Sequence, residues 1–164
     1  MTSEQYRSLS APFRKGKRPL WLNRVNKALT LACYAAYPLL LAVLLWQRDV
    51  RIIRAVLVPG VSFVALSVFR KVYNAPRPYE VLDMEPLIHK DTLGKSFPSR
   101  HVFSVFVIGM TFFWLNPALG AVFLVMGAVM AACRVIGGVH WPRDVVVGAA
   151  VGILAGMLGF YFNA

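Results

Sequence analysis

Apolar residues in this chain come in long runs instead of alternating with polar ones. Residues 28–46 carry no charge over 19 positions, and residues 52–69 form a second run in which Arg54 is the one charged residue. A helix needs about 20 apolar residues to cross the hydrocarbon core of a bilayer. The two runs therefore predict two membrane-spanning helices, with Pro38 and Pro59 as points where each helix can bend.

The second half of the chain contains the longest apolar stretch. Residues 102–133 are 32 consecutive positions without a charge. As one helix this stretch would measure about 48 Å, against a hydrocarbon core of about 30 Å. Asn116-Pro117 is a turn signal near its middle, so the stretch predicts two spans, 98–115 and 118–136. With a fifth span over 145–162, the pattern predicts an all-α polytopic membrane helix bundle of about five transmembrane helices.

Composition and charge are typical of a membrane protein and favour the lipid bilayer over nucleic acid as its partner. The chain has 164 residues, of which 58% are hydrophobic and 15% are charged, and its formal net charge is +11. Disordered chains are poor in large apolar residues, and soluble domains are nearer a quarter charged. The basic excess does not predict nucleic-acid binding, because basic residues beside apolar spans orient a membrane protein and contact anionic headgroups. We expect the bilayer as a partner, a basic juxtamembrane arm over 1–24 and a transmembrane domain over 25–164.

Polar residues that are out of place in so apolar a protein gather at one end of the predicted bundle. Five spans bring together the arm, the end of span two, the start of span three and the loop between spans four and five. Ionisable residues in such a position predict a functional site. They are Arg70, Lys71, Arg77, Ser99, Arg100, His101, Arg134, His140, Arg143 and Asp144. Lys90 and Lys95, together with the acids of the polar loop before span three, are expected to shape the substrate entrance. These acids are Glu80, Asp83, Glu85 and Asp91.

The residue types in this cluster suit phosphoryl transfer. Converging guanidinium groups match a phosphate or a carboxylate ligand, and Ser99 at a helix start adds an anion site. One histidine can attack phosphorus while the other protonates the leaving oxygen. His140 and Asp144 are four residues apart and share a helix face if the fifth helix has begun by His140. A carboxylate on one imidazole nitrogen would fix the tautomer of that histidine.

The same residues resemble a three-part family signature. Their order is R-x6-R-P from Arg70 to Pro78, P-S-R-H from Pro98 to His101, and C-R-x5-H-x3-D from Cys133 to Asp144. This order resembles the K-x6-R-P, P-S-G-H and S-R-x5-H-x3-D motifs of the type 2 phosphatidic acid phosphatase superfamily, also called PAP2. The chain departs from that pattern at the first residue of the first and third motifs and at the glycine of the second.

The resemblance implies a role for each matching residue. His140 would be the nucleophile that forms a phosphohistidine, Asp144 would orient it, and His101 would protonate the leaving group. The implied phosphate-binding residues are Arg70, Lys71, Arg77, Ser99, Arg100 and Arg134, with either Arg70 or Lys71 in the first basic position. The resemblance implies no metal and no cofactor.

The function that the resemblance implies is an integral-membrane phosphatase. Its substrate would be a lipid phosphate monoester or diphosphate, such as phosphatidate, phosphatidylglycerophosphate or a polyprenyl-linked phosphate. Two alternatives remain open: a lipid phosphotransferase that uses the same phosphohistidine, and a catalytically silent membrane protein that binds anionic lipid.

A stripe of small residues on the fifth span bears on assembly. Gly148, Gly152 and Gly156 follow one another at intervals of four residues. Such a stripe predicts either a homodimer seam or close packing against a neighbouring helix of the same chain.

The distribution of positive charge predicts an orientation in the membrane. Fifteen of the 18 Lys and Arg residues lie at the end of the bundle that carries the site, and Arg48, Arg51 and Arg54 lie at the other end. Cytoplasmic segments carry the excess of Lys and Arg in membrane proteins. We therefore expect a multi-pass protein of the cell membrane with its active site on the cytoplasmic face.

Overall fold

The computed structural model describes residues 1–90 and 92–162, and the ordered elements within them are helices. The α-helices are α1 (Ser3–Ser10), α2 (Arg18–Trp46), α3 (Arg51–Tyr73), α4 (Pro78–Val81), α5 (Arg100–Leu115), α6 (Pro117–Ile136) and α7 (Pro142–Phe160). A short 3-10 helix, Ala11–Phe13, follows α1. The predicted all-α membrane bundle is confirmed.

Local signals in the sequence set the ends of the helices. Pro117 and Pro142 occupy the first turns of α6 and α7, where the missing N–H of proline costs nothing. The Asn116 side chain accepts a backbone hydrogen bond of 3.1 Å and so caps the start of α6. The observed spans lie close to the predicted ones, except that α2 already begins at Arg18. Residues 18–24 of the predicted arm therefore form the first turns of a membrane helix.

The bundle is organised around α5. The residues of α5 from Val102 to Phe112 are buried, and the helix packs mainly against α6 and α7. Among the described residues, four long helices are apolar enough to cross a membrane, and α5 is a shorter apolar helix of 16 residues. Its length of about 24 Å is short for a bilayer, but its neighbours are mostly other helices of the bundle. Helix α5 therefore forms the axis of the fold, with His101 at its amino-terminal end.

The glycine stripe of α7 faces α5 of the same chain. A Cβ on Gly148 would lie 2.7 Å from the Ser99 carbonyl oxygen, and a Cβ on Gly156 would lie 2.3 Å from Met110 Cβ. Gly152, between them, is buried as well. Of the two alternatives that the stripe left open, close packing against a neighbouring helix of the same chain is the one that the structure contains.

The amino-terminal arm folds back onto the end of the bundle that carries the candidate site. Tyr6 is fully buried and donates a hydrogen bond of 3.3 Å to the Ile136 carbonyl. Gly138 has a φ of 75°, and a Cβ there would lie 2.5 Å from the Tyr6 hydroxyl. Arg14 donates to the Glu85 carbonyl at 2.7 Å. The arm thus supports the turn between α6 and α7 as well as the polar loop.

Substitution of Gly152 tests the contact between α5 and α7. Its added Cβ would lie 2.9 Å from the Phe103 carbonyl oxygen, so Gly152→Ala should push the helices apart and cost about 1–3 kcal/mol. Gly60→Ala in α3 is the matched control, because that added Cβ has no described atom within 4 Å apart from its chain neighbours and the nearby backbone of its own helix. We expect thermal unfolding in detergent to show a lower Tm for Gly152→Ala alone. Equal melting temperatures for the two variants would contradict this packing.

Candidate active site

His140 lies in the turn between α6 and α7, just before α7 begins at Pro142. Asp144, in the first turn of that helix, points its carboxylate back toward the turn. Its Oδ2 lies 3.4 Å from His140 Nδ1 and accepts a hydrogen bond of 3.1 Å from the Trp141 backbone N–H. Both side chains are fully buried. His140 and Asp144 therefore pair as their spacing predicts, but they do not share a helix face. His140 precedes α7, and the Asp144 carboxylate that caps the start of this helix reaches back to it.

The second nitrogen of His140 faces a cation. Arg77 NH1 lies 3.5 Å from His140 Nε2. Burial lowers the pKa of His140, and its contact with Asp144 opposes that effect without cancelling it. Burial thus favours the neutral ring, and a proton on Nδ1, toward the carboxylate, leaves a lone pair on Nε2. This is the form of histidine that can act as a nucleophile.

Two buried arginines hold the polar loop over the site. Arg77 donates through Nε to the Gly94 carbonyl at 3.0 Å, and its NH1 donates to a second backbone carbonyl at 2.9 Å. Arg70 donates to the carbonyls of Lys95 and Ser96. Only 3% of Arg77 and 7% of Arg70 is exposed. Because a buried guanidinium needs such partners, both arginines shape the site as well as line it.

A basic cavity of about 530 Å³ opens in front of His140. Arg70 and Arg77 are buried in its wall, whereas Lys71 and Arg100 are exposed. Among the described residues, no Asp or Glu lines it. The basic and histidine side chains that line it are Arg70, Lys71, Arg77, Lys90, Lys95, Arg100, His101 and His140. The cavity therefore suits an anion that accepts several charge-assisted hydrogen bonds, such as phosphate.

Ser99 and Arg134 each carry a buried polar atom without a partner, although neither residue is among the described residues that line the basic cavity. Ser99 is fully buried at the start of α5, and Arg134 is 4% exposed near the end of α6. Within the part of the chain that the structure describes, Ser99 Oγ and Arg134 Nε have no hydrogen-bond partner. An unpaired buried polar group costs about 1–3 kcal/mol.

His101 borders two cavities. It lines the basic cavity together with His140, and it also lines a second cavity of about 300 Å³. The second cavity is formed by residues of α2 together with Arg134. A group between a phosphate-binding space and an adjoining space is well placed to protonate a leaving oxygen.

The structure lines the basic cavity with most of the predicted residues and places Asp144 behind His140. Ser99, Arg134 and Arg143 do not line that cavity, and one residue is added to the site. Arg143 is exposed and does not line the basic cavity, although its Nε lies 3.7 Å from Asp144 Oδ1. Ser96 is the addition, since its Oγ lies 2.5 Å from Asp144 Oδ2. A lone serine in a long polar loop carries no spacing signal, so the motifs did not reveal it. In residues 1–90 and 92–162, no group of three or more His, Cys, Asp or Glu side chains is arranged to hold a metal ion.

These features define an integral-membrane helix bundle with a basic cavity and a buried histidine–aspartate pair at one end. Residues 50–164 match the PAP2 superfamily, and the chain belongs to that family of membrane phosphatases. The predicted membership of the PAP2 superfamily is thereby confirmed.

Three named bacterial proteins are similar to this chain in sequence. The Bacillus licheniformis bacitracin transport permease protein BcrC is 27% identical over 137 residues, which cover 80% of this chain and 68% of BcrC. The Escherichia coli (strain K12) putative undecaprenyl-diphosphatase YbjG is 32% identical over 127 residues, covering 73% of this chain and 61% of YbjG. The Bacillus subtilis (strain 168) undecaprenyl-diphosphatase BcrC is 27% identical over 146 residues, covering 87% of this chain and 75% of that protein.

A solved structure has the same fold. The crystal structure of Aquifex aeolicus LpxE matches with a TM-score of 0.73 and 24% identity, covering 95% of this chain and 92% of LpxE. At that identity the likeness establishes the fold of the bundle.

The charge of Lys90 should make anion binding depend on pH. Burial, together with Arg77, Arg134, Arg70 and Arg100, lowers the pKa of Lys90 to about 7. Its ammonium group is charged below that pH and neutral above it, so the cavity loses a cation as the pH rises. Because a hydrogen bond to a charged group contributes about 1.5–3 kcal/mol, the inhibition constant of sulfate should increase roughly tenfold from pH 6 to pH 9.

Lys90→Arg should abolish this rise, since a guanidinium stays charged over the whole range. Lys95→Arg makes the same exchange at another lysine of the cavity and is the matched control. Sulfate is used because its charge does not change in this range. An identical pH dependence of inhibition in the parent protein and Lys90→Arg would show that Lys90 does not contact the anion.

Proposed function

We propose that this protein hydrolyses a lipid phosphate through a phosphohistidine on His140 Nε2. The observation that carries the proposal is that the two nitrogens of the His140 ring face groups of opposite charge. Nδ1 lies 3.4 Å from Asp144 Oδ2, and Nε2 lies 3.5 Å from Arg77 NH1 at the basic cavity. A carboxylate behind the ring stabilises the cation that forms on attack, and a guanidinium in front stabilises the phosphoryl oxygens.

The proposed reaction has two steps, and His101 acts in both. First, the Nε2 lone pair forms a bond to phosphorus, the bond from phosphorus to the leaving oxygen breaks, and His101 gives that oxygen a proton. Then His101 takes a proton from water, the water oxygen bonds to phosphorus, and the phosphorus–nitrogen bond breaks to release phosphate. Arg70, Arg77, Arg134 and Ser99 hold the phosphoryl oxygens during both steps.

The charge of the cavity supports a diphosphate headgroup over a monoester. Six Lys and Arg side chains, counted among the described residues, line the cavity, whereas a phosphate monoester carries only about 1.5 to 2 negative charges. Two of the relatives are named undecaprenyl-diphosphatases, one of them putatively. We therefore propose a polyprenyl diphosphate as the preferred substrate, ahead of phosphatidylglycerophosphate and phosphatidate.

An apolar groove supports a lipid as the rest of the substrate. A cavity of about 440 Å³ lies between α2, α3 and α5, with Tyr34, Tyr37 and Phe63 among its lining residues. Phe63 joins this groove to the basic cavity, because the Arg100 guanidinium lies 5.6 Å from the centre of its ring. The hydrocarbon chain of a lipid can therefore lie in the groove while its phosphate enters the basic cavity.

Phosphate release from a panel of purified lipid phosphates in detergent tests the function. The parent protein should release phosphate fastest from the polyprenyl diphosphate and should keep its rate in EDTA, because fixed guanidinium groups supply the positive charge. His140→Ala should be inactive on every lipid. His89→Ala, which removes an exposed histidine outside the cavity, is the control and should keep the parent rate.

Three results would contradict parts of this proposal. Loss of turnover in EDTA with recovery on adding a divalent metal would exclude the metal-free reaction. Transfer of the phosphoryl group to an added acceptor lipid, in preference to water, would favour the phosphotransferase. Binding of anionic lipid without release from any member of the panel would favour the catalytically silent protein.

We also propose that the active site faces the cytoplasm. The arm contacts the same end of the bundle as His140, through Tyr6 and Arg14, and this end carries most of the Lys and Arg residues. A cysteine at position 3, in a background without Cys33 and Cys133, should resist an impermeant thiol reagent in sealed cells and react after lysis. Labelling in sealed cells would place the site on the outer face.

A further inference from the structure

Ser96 is the third member of the buried group around His140. Its Oγ lies 2.5 Å from Asp144 Oδ2 and 3.3 Å from His140 Nδ1. The side chains of all three residues are fully buried. Ser96 belongs to none of the three motifs, and the two reaction steps described above do not use it.

The distances assign the protons in this group. A hydroxyl has one proton to donate and lone pairs with which to accept. The short distance to the carboxylate assigns the Ser96 proton to Asp144 Oδ2, which leaves a lone pair of Ser96 Oγ toward Nδ1. The Nδ1–H of His140 then points between two acceptors, Ser96 Oγ at 3.3 Å and Asp144 Oδ2 at 3.4 Å. Each of these distances is long for a hydrogen bond, so the two acceptors together hold the proton on Nδ1.

The backbone of Ser96 is fixed on both sides. Its N–H donates to the Ala75 carbonyl at 2.9 Å, and its carbonyl accepts from Arg70 NH1 at 3.0 Å. Ala75 and Arg70 flank the end of α3, so the position of the hydroxyl is set by a membrane helix and not by the loop alone. Such anchoring is what a group needs in order to position another side chain reliably.

We propose that Ser96 is a positioning residue for the His140 nucleophile. Its hydroxyl holds the Asp144 carboxylate and shares the Nδ1 proton, so Nε2 stays unprotonated and directed at the basic cavity. When Nε2 bonds to phosphorus the ring becomes cationic, and Ser96 Oγ and Asp144 Oδ2 both accept from its remaining Nδ1–H. The inference rests on the proposed function, because it takes His140 as the nucleophile. Arg70 then also helps to position His140, because its hydrogen bond to the Ser96 carbonyl fixes the Ser96 backbone.

Ser96→Ala removes the hydroxyl and tests this role. We expect kcat to fall about 10- to 100-fold, as for loss of a hydrogen bond to a charged group. KM should change less than twofold, because Ser96 is not among the described residues that line the basic cavity. Dividing the rate by the amount of protein that elutes as one folded species in detergent and melts at the parent Tm removes the effect of any misfolded protein. Ser62→Ala, which removes a hydroxyl bonded to the Val58 carbonyl within α3, is the control and should keep the parent kcat.

The same substitution in an Asp144→Asn background separates positioning from a purely structural role. Residues that act as a unit have non-additive effects, so Ser96→Ala should cost less than threefold there. An equal loss in both backgrounds, or a kcat within twofold of the parent in the single variant, would overturn the inference and leave the proposed function standing. No phosphate release by the parent protein would overturn both.

Discussion

Burial of positive charge at one end of an apolar bundle is the constraint on which the rest of this structure depends. Arg70 and Arg77 are almost fully buried, and a buried charge without partners is strongly unfavourable. Their guanidinium groups find partners in backbone carbonyls of residues 94–96 and in the Val139 carbonyl, next to His140. The contacts that make burial of the arginines tolerable are therefore the contacts that close the polar loop over the nucleophile.

Close packing of two helices sets the distance between the second and third motifs. The glycines of α7 let this helix approach α5 closely enough for the Ser99 N–H to donate to the Asp144 carbonyl at 2.8 Å. Larger side chains at those positions would separate Ser99 and His101 from His140. A feature that looks like a dimer motif in the sequence thus acts inside the chain, as part of the support of the site.

The site is largely organised before any anion enters it. Arg77 is held by backbone carbonyls, Asp144 by the start of α7, and Ser96 by α3. Polar groups that are already in place lose little free energy in reorganising when charge develops during a reaction. Ser99 Oγ and Arg134 Nε differ from these groups, because they have no hydrogen-bond partner within the part of the chain that the structure describes.

The sequence by itself determined the membrane helices and the principal site residues. A long apolar run in a bilayer must satisfy its backbone hydrogen bonds internally, which leaves a helix as its solution, and the ends of the helices follow from local signals such as Asn116-Pro117. The three motifs also named His140, Asp144 and His101 through their spacing. The roles of those residues remain predictions. Their placement at one end of the bundle, however, could be predicted from the sequence without the coordinates.

Only the tertiary structure decided which loop residues join the site and which surfaces the helices use. Ser96 reaches Asp144, 48 residues away, because Arg70 and Ala75 fix its backbone. No spacing pattern in the sequence predicts that contact. The same holds for Tyr6 beneath Gly138 and for the glycine stripe, whose pattern fits a second copy as well as α5. Such contacts join segments that are far apart in the sequence, so they are a property of the folded chain as a whole.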